Sequence, residues 1–384
     1  VLPKTAEVVI IGGGVMGMSA AYHLALKGCR GVLLLEREAF FGAGATGRCA
    51  GGIRHQFSTD VNIQLSTHSI RMLERFEEET GQPIDLKQCG YLIMASSEEE
   101  METFRANVAR QHKHGVLTQT LSPDEIAARV PHLNLEGIIG ATFHERDGIA
   151  DPSGVVGGYV SRARALGVTL LNQVEVIGIT LKSGRVAGVQ TTLGDVAAGC
   201  VVIAAGPWSS LVGRLAGVEL PIVPERQQIV VTAPLDWLPD DFPFVIDFAQ
   251  RLYFHPEGKG LLTGQSMVGC PPTFEQTVDA SWTALHIANA IARLPMLEHA
   301  QVLTQWAGLY ENTPDAHPII GPIPQVEGLF CIAGFSGHGF MHGPIAGLLL
   351  AEDILDGGAH TVDITPLRFT RFQAGALRDE YNVI

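Results

Sequence analysis

The stretch "EVVIIGGGVMGMSAAYHLALKGCRGVLLLER" near the N-terminus constrains the fold more than any other part of the chain. Val8–Ile11 is a continuous apolar run, as expected of a strand buried on both faces. Met16–Leu26 carries small and apolar residues at helical spacing, and Val32–Leu35 is a second buried strand that ends at Glu36. Gly12-x-Gly14-x-x-Gly17 lies between the first strand and the helix. Glycine there permits a tight turn and close approach of a pyrophosphate, which rests on the helix N-terminus. Glu36, nineteen residues after Gly17, is placed to take ribose hydroxyls. The spacing therefore predicts a βαβ unit that binds a dinucleotide.

That fingerprint serves FAD and NAD alike. A second feature favours FAD: "GFSGHGFMHGPIAGLLLAEDIL" (334–355), a glycine-rich loop opening a helix some three hundred residues after the first. A flavin ring accumulates negative charge at one edge on reduction, and backbone N–H groups at a helix start stabilise such charge. NAD has no need of that segment but stays as the alternative on these residues alone. "FGAGATGRCAGGIRH" (41–55) is a further glycine-rich loop, carrying Arg48 and Arg54, and a buried strand at 201–205 runs into Gly206. Helices are predicted over 62–80 and 283–294, and after Ser122 as N-cap with Pro131 as the stop. Strands are predicted at 90–95, 301–310 and 329–333. The glycine turns alternate with blocks that lack them. This predicts a cofactor domain assembled from 1–80, 145–215 and 305–384, with a second domain from 81–144 and 216–304 inserted into it.

Composition excludes several classes. Forty acidic against 26 basic residues give a net charge of −14, which argues against nucleic acid or an anionic membrane as partner. No apolar run has the length to cross a bilayer, so a transmembrane protein is not expected. The N-terminus enters its first strand at once, so a signal peptide is not expected unless a leader has been trimmed. The six cysteines (29, 49, 89, 200, 270, 331) are scattered, without C-x-x-C pairs or neighbouring histidines. Neither a disulfide framework nor a metal site is expected, and the predicted location is a reducing one, the cytoplasm.

Together with Glu36, the segments "VVIIGGGVMGMSAAYHLALKG", "GATGRCAGGIRHQF", "CGYLIMA", "DGIADP", "VVIAAGPWSS", "WAGLYENTPDAHPIIGP" and "GFSGHGFMHGPIAGLLLAE" resemble the D-amino-acid oxidase superfamily of flavoproteins. Within it the chain is most similar to the group of sarcosine oxidase and dye-linked L-proline dehydrogenase β-subunits. The resemblance implies an α/β and α+β fold: a Rossmann-like FAD-binding domain with an inserted antiparallel-sheet substrate domain. It also implies FAD-dependent oxidation of the C–N bond of a small amino acid or N-alkyl amino acid (sarcosine-, proline- or glycine-like) to an imine, a hydride equivalent passing to flavin N5.

Carried over position by position, the resemblance places Gly12, Gly14, Val15, Met16, Gly17, Glu36 and Arg37 at the dinucleotide. Ala43, Ala45, Thr46, Arg48, Gly51 and Gly52 fall in the loop near the flavin, and Val174 at the adenine. Ala205, Gly206 and Trp208 form the second glycine turn. Gly334, Gly337, His338, Gly339, Phe340 and Met341 form the loop at the flavin edge. Arg54 aligns with a substrate-carboxylate arginine, Tyr310 with an active-site tyrosine, and His338 sits beside the flavin; these three are the expected catalytic residues. His55 and His342 are further candidates for tuning the flavin or taking a proton.

Departures from the family pattern refine this. Gly308 stands where monomeric sarcosine oxidases have the cysteine bonded to FAD, so non-covalent FAD is expected. Leu262 replaces the lysine associated with oxygen activation, which favours a dehydrogenase over an oxidase. Met341 replaces a carboxylate-binding lysine. Asp151 and Pro152 replace the histidine that carries FMN in heterotetrameric relatives, leaving FMN a place only at a partner interface. The expected partners are the amino acid or amine, an electron acceptor or O2, and a partner subunit or second copy. A β-subunit active only with its partner, or a flavoprotein scaffold without turnover, is the alternative reading.

Overall fold

A computed structural model describes residues 1–267 and 269–383. Two eight-stranded sheets organise the chain. The first runs, from one edge, Ile319–Pro322, Leu329–Ala333, Gly194–Ile203, Thr5–Ile11, Val32–Leu35, Thr169–Leu171, and a hairpin of Val176–Lys182 and Arg185–Thr191 extends from Gly194–Ile203. Its five central pairing strands are parallel; Ile319–Pro322 and the hairpin are antiparallel. Val8, Val9, Ile10 and Ile11 are all buried, as are Val32–Leu35, because helices cover one face and the hairpin and following segments the other.

The second sheet runs Val302–Asn312, Val223–Thr232, Gly260–Gln265, Leu252–Glu257, Phe244–Asp247, Tyr91–Ala95, Gly140–His144, Gln119–Leu121. It is antiparallel except where Phe244–Asp247 runs parallel to Tyr91–Ala95. Its side chains alternate with period 2. Leu92, Met94, Val245 and Phe254 face a core covered by the helix Ala280–Arg293, while Tyr91, Ile93, Phe244, Ile246 and Tyr253 form the other face.

Local predictions meet the structure at several points. Ser122 caps Pro123–Arg129 in a reciprocal capping box with Glu125. The helix expected over 62–80 is two helices, Asp60–Glu74 and Phe76–Thr80, interrupted at Arg75, whose ψ of 6° breaks the α-helical ladder. The strand expected at 301–310 is Val302–Asn312 and belongs to the second sheet. The third cofactor segment, predicted from 305, therefore opens on a strand of the other sheet: Leu309 and Ala307 are buried there by pairing with Val223–Thr232. Among the described residues no helix is long and apolar enough to cross a membrane.

Candidate functional site

The first sheet sets the position of the site. Its parallel strands end at Ile11, Leu35, Leu171, Ile203 and Ala333, and their common direction brings these C-terminal ends to the same end of the sheet. The central strand Thr5–Ile11 has Val32–Leu35 on one side and Gly194–Ile203 on the other, which makes it a topological switch point. A cavity of about 370 Å³ opens there, bounded by Gly12–Met16, Glu36–Glu38, Val174 and Ala204–Trp208 at one end and by residues of the second sheet at the other.

At the dinucleotide end, Gly12 has φ +115°, and a Cβ on it would lie 2.3 Å from the Ala204 carbonyl oxygen. A Cβ on Gly17 would lie 1.9 Å from the Gly12 oxygen. Gly17 is thus a packing position behind the turn and not part of the cavity wall, unlike Gly12 and Gly14. The helix Val15–Leu26 has no acidic residue in its first turn and no side-chain cap at Gly14. The Thr46 hydroxyl accepts from Val15 N at 3.1 Å. Glu36 lies across the turn, one oxygen accepting from Gly13 N at 2.6 Å and the other from Glu38 N at 2.8 Å. N–H groups at a helix start, a turn closed to a Cβ at Gly12 and one carboxylate at a strand end fit the pyrophosphate and ribose of a dinucleotide. Arg37 stacks 4.3 Å over the Trp208 ring beside them.

Ala43, Ala45, Thr46, Arg48, Gly51 and Gly52 line the middle of the cavity. Arg48 fastens this loop to the second sheet: its Nη1 donates to Ala307 O at 3.0 Å, and its own carbonyl accepts from Trp306 Nε1 at 2.9 Å. A Cβ on Gly308 would come within 3.1 Å of Arg48 Cβ, so glycine permits that seam. Cys49, which the motifs did not single out, also lines the cavity; burial pushes its thiol up to about 11, leaving it protonated and a poor nucleophile.

The late loop closes the far side. Gly337 (φ +93°) lets its backbone lie against Tyr310, where a Cβ would meet the ring at 2.6 Å. Gly337, His338, Gly339, Phe340 and Met341 line the cavity, but Gly334 does not: it is a turn residue against Thr313. The helix Gly339–Leu355 begins here without an acidic residue in its first turn. His338 Nε2 is 2.9 Å from the Ala316 carbonyl, which only accepts, so Nε2 carries the proton. His338 Nδ1 then accepts from His342 Nδ1 at 3.2 Å, and His342 Nε2 accepts from the Ser66 hydroxyl at 2.8 Å. Burial pulls the His338 imidazole down to about 4 and His342 well below its ordinary value. Both nitrogens of His338 are held by protein, so the ring has none free to take a proton in the cavity. His342 is equally committed.

Arg54 lies at the opposite wall, only 5% exposed. It donates to the carbonyls of Gln56 and Asn382, and among the described residues no carboxylate forms an ion pair with it. Burial disfavours its charge; the fields of Tyr91, Glu380 and Asp147 offset part of this. Tyr310 lines the same end, its phenol pushed up to about 12 by burial and the nearby Cys49. Tyr91, Phe244, Tyr253 and Gln227 complete this end, with Tyr91 stacked on Phe244 at 4.0 Å. They come from four strands, brought onto a shared face that only the sheet order reveals. Asn382 and Val383, from the segment after the last helix, also reach it. Alternation within each strand is the one signal that the sequence offered for the aromatic wall.

His55 is off the cavity wall. Its Nδ1 and that of His144 bond the same oxygen of buried Asp147, at 2.7 and 2.9 Å, and His55 N bonds it too at 2.8 Å. The three side chains have the composition of a metal site, their ligand atoms lying within 4.8 Å of one another. That oxygen is already saturated by the three donors, so the group is organised as a hydrogen-bond node.

The family profile "FAD dependent oxidoreductase" (DAO) matches residues 7–353. Human mitochondrial sarcosine dehydrogenase is 34% identical over 373 residues, covering 93% of this chain and 40% of that protein, so the chain spans about two fifths of that relative's length. The FAD-dependent oxidoreductase domain-containing protein 1 of Xenopus laevis is 31% identical, covering 100% of this chain and 85% of that protein. Among solved structures, L-proline dehydrogenase from P. horikoshii superposes with a TM-score of 0.92 at 34% identity, over 98% of this chain and 100% of that one. Glycine oxidase from Geobacillus kaustophilus gives 0.85 at 28% identity, over 96% and 99%. With the cradle, the carboxylate and the late loop all in place, the chain belongs to the DAO family of FAD-dependent oxidoreductases.

Proposed function

We propose that this protein oxidises the C–N bond of a small amino acid whose nitrogen carries an alkyl group or closes a ring, using non-covalently held FAD. The observation that carries the reading is Arg54: a buried guanidinium on the cavity wall, without a carboxylate partner among the described residues, beside an aromatic surface. Two of its five N–H groups are engaged by backbone carbonyls, which leaves three for an incoming carboxylate. The aromatic wall of Tyr91, Phe244, Tyr253 and Tyr310 suits the methyl groups or ring carbons next to the nitrogen. Sarcosine dehydrogenase, dimethylglycine dehydrogenase and L-proline dehydrogenase among the relatives act on substrates of this kind by name.

FAD, when bound, supplies the two-electron acceptor. Gly12–Met16, Glu36 and Val174 would hold its dinucleotide half, and the 43–52 loop with Gly337–Met341 its ring. The chain's own contribution is orientation and exclusion of water. Arg54 fixes the carboxylate, and the neutral Tyr310 phenol donates to the carboxylate or accepts from the amine. His338 anchors the late loop. The protonated Cys49 and the glycine at 308 support non-covalent attachment. A dehydrogenase is favoured because Leu262 is buried in the aromatic-face core and offers no cation to dioxygen.

The test compares N-methylated and cyclic amino acids with the matching amines lacking a carboxylate, using an artificial electron acceptor. Turnover confined to the carboxylates supports the reading, and equal turnover of both sets contradicts it. Acid precipitation should leave the flavin in the supernatant. Oxygen uptake rivalling the rate with the artificial acceptor would sink the dehydrogenase assignment.

A further inference from the structure

Glu311 stands between the late loop and the second glycine turn, on the cavity wall and only 9% exposed. Its backbone carbonyl accepts from Ser336 N at 3.2 Å, and its Oε1 accepts from Phe335 N at 3.3 Å. Oε2 is buried with no hydrogen-bond partner among the described residues. It faces the Gly206 turn: an ideal Cβ on Gly206 would lie 3.7 Å from Oε2, with no other atom within 4 Å. A side chain on residue 206 would fill the space between the turn and the carboxyl.

Among the described residues, the groups around Glu311 leave it without a counter-charge. Its own strand brings Tyr310, a neutral phenol. The adjacent strand brings Glu225, which pairs in register with Tyr310 and whose own carboxyl burial pushes up. The strand Leu329–Ala333 brings Cys331, a thiol raised by burial and by the Glu311 charge and opposed by Arg371, which is itself paired with Asp315. The late loop contributes the N–H groups of Gly334 and Phe335, and the Gly206 turn contributes no titratable side chain. Burial, opposed by those two N–H groups, pushes the Glu311 carboxyl up to about 7.

We propose that Glu311 is a cofactor-binding residue that acts as the neutral acid, Oε1 holding the late loop and the Oε2 proton donated to an oxygen of the bound dinucleotide at the Gly206 turn. This rests on the reading of the cavity as an FAD site. The described residues offer that proton no acceptor, which assigns the acceptor to the ligand. The ionised form would place a buried negative charge, without a cation, on the wall of a site for an anionic diphosphate. Binding therefore selects the protonated acid, and affinity is present below the carboxyl's pKa in the free protein and lost above it.

The experiment is titration of deflavinated protein with FAD, followed by flavin fluorescence, from about pH 6 to about pH 8.5. For the unaltered protein the FAD dissociation constant should rise about tenfold or more over that range, as the competent fraction falls. Glu311→Gln, whose amide donates at every pH, should bind with a flat profile near the low-pH value. Glu311→Ala should bind weakly and also without slope. A flat profile for the unaltered protein, or an unchanged slope in Glu311→Gln, overturns the proposal while leaving the FAD site intact. Failure to bind FAD at any pH would overturn the FAD reading itself.

Discussion

The guanidinium of Arg54 lies 4.0 Å from the centroid of the Phe57 ring, a buried cation over an aromatic face with no carboxylate paired to it among the described residues. Ring, backbone carbonyls and distant carboxylate fields keep the charge tolerable until an anion arrives. Arg54→Lys keeps a charge but loses the planar fork. It should lower kcat/KM for a carboxylate substrate by about a hundredfold, mostly through KM, on the order of 3 kcal/mol. The visible flavin spectrum and the denaturation midpoint should be unchanged, which separates lost recognition from a damaged fold. Steady-state kinetics on the carboxylate substrate, with those two readouts, checks this.

Gly17 acts through the turn and not through the ligand. In Gly17→Ala the methyl group overlaps the Gly12 carbonyl at 1.9 Å, so the helix must move away from the cradle. The variant should lose about 1–3 kcal/mol of stability and be purified largely free of flavin. The ratio of visible to ultraviolet absorbance and a denaturant titration measure the two effects.

Stability should fall steeply with acid. Burial pulls His23, His255, His286 and His338 each down to about 4, whereas in the unfolded chain they titrate near the ordinary histidine value. A group lowered on folding gives stability that is full above its unfolded pKa and lost as pH falls toward the folded one. Between about pH 7.5 and about pH 4.5 the loss should be on the order of 5 kcal/mol, allowing for partial exposure and relaxation. Denaturant midpoints across that range test it; a flat profile would show that these imidazoles are not buried neutral.

Glu380 anchors the segment that reaches Arg54. It accepts from Ser58 N at 2.7 Å, Thr59 N at 3.2 Å, Thr59 Oγ1 at 2.8 Å and Asn62 Nδ2 at 3.0 Å, at the start of the helix Asp60–Glu74. Glu380→Ala should cost about 2 kcal/mol, as loss of a charged helix-end acceptor does. It should also raise KM several-fold, because Asn382 two residues on accepts from Arg54. Thermal denaturation and the KM for the same carboxylate substrate report on each.

The dinucleotide half was legible because its determinants are local: Gly12, Gly14 and Glu36 belong to one βαβ unit whose strands, turn and helix each have a sequence signature. Helix ends with side-chain caps, such as Ser122, were legible for the same reason. The substrate end was not. Tyr91, Phe244, Tyr253 and Tyr310 meet only through pairings across long sequence separations, including one parallel pair inside an otherwise antiparallel sheet. The sequence marked His338 as a residue of interest, but its tautomer depends on Ala316, His342 and Ser66, brought together by tertiary packing. Glu311 passed unnoticed because an acid within a strand looks ordinary until its burial and missing partner are seen.

The most direct test of the account is anaerobic titration of the purified, flavin-loaded protein with N-methyl and cyclic amino acids, following the visible absorbance. The account predicts that a member of this carboxylate-bearing set bleaches the flavin bands, that the matching amine without a carboxylate does not, and that Arg54→Lys needs far more substrate for the same bleaching. Flavin bands that no amino acid bleaches, or that carboxylate-free amines bleach equally well, would contradict it.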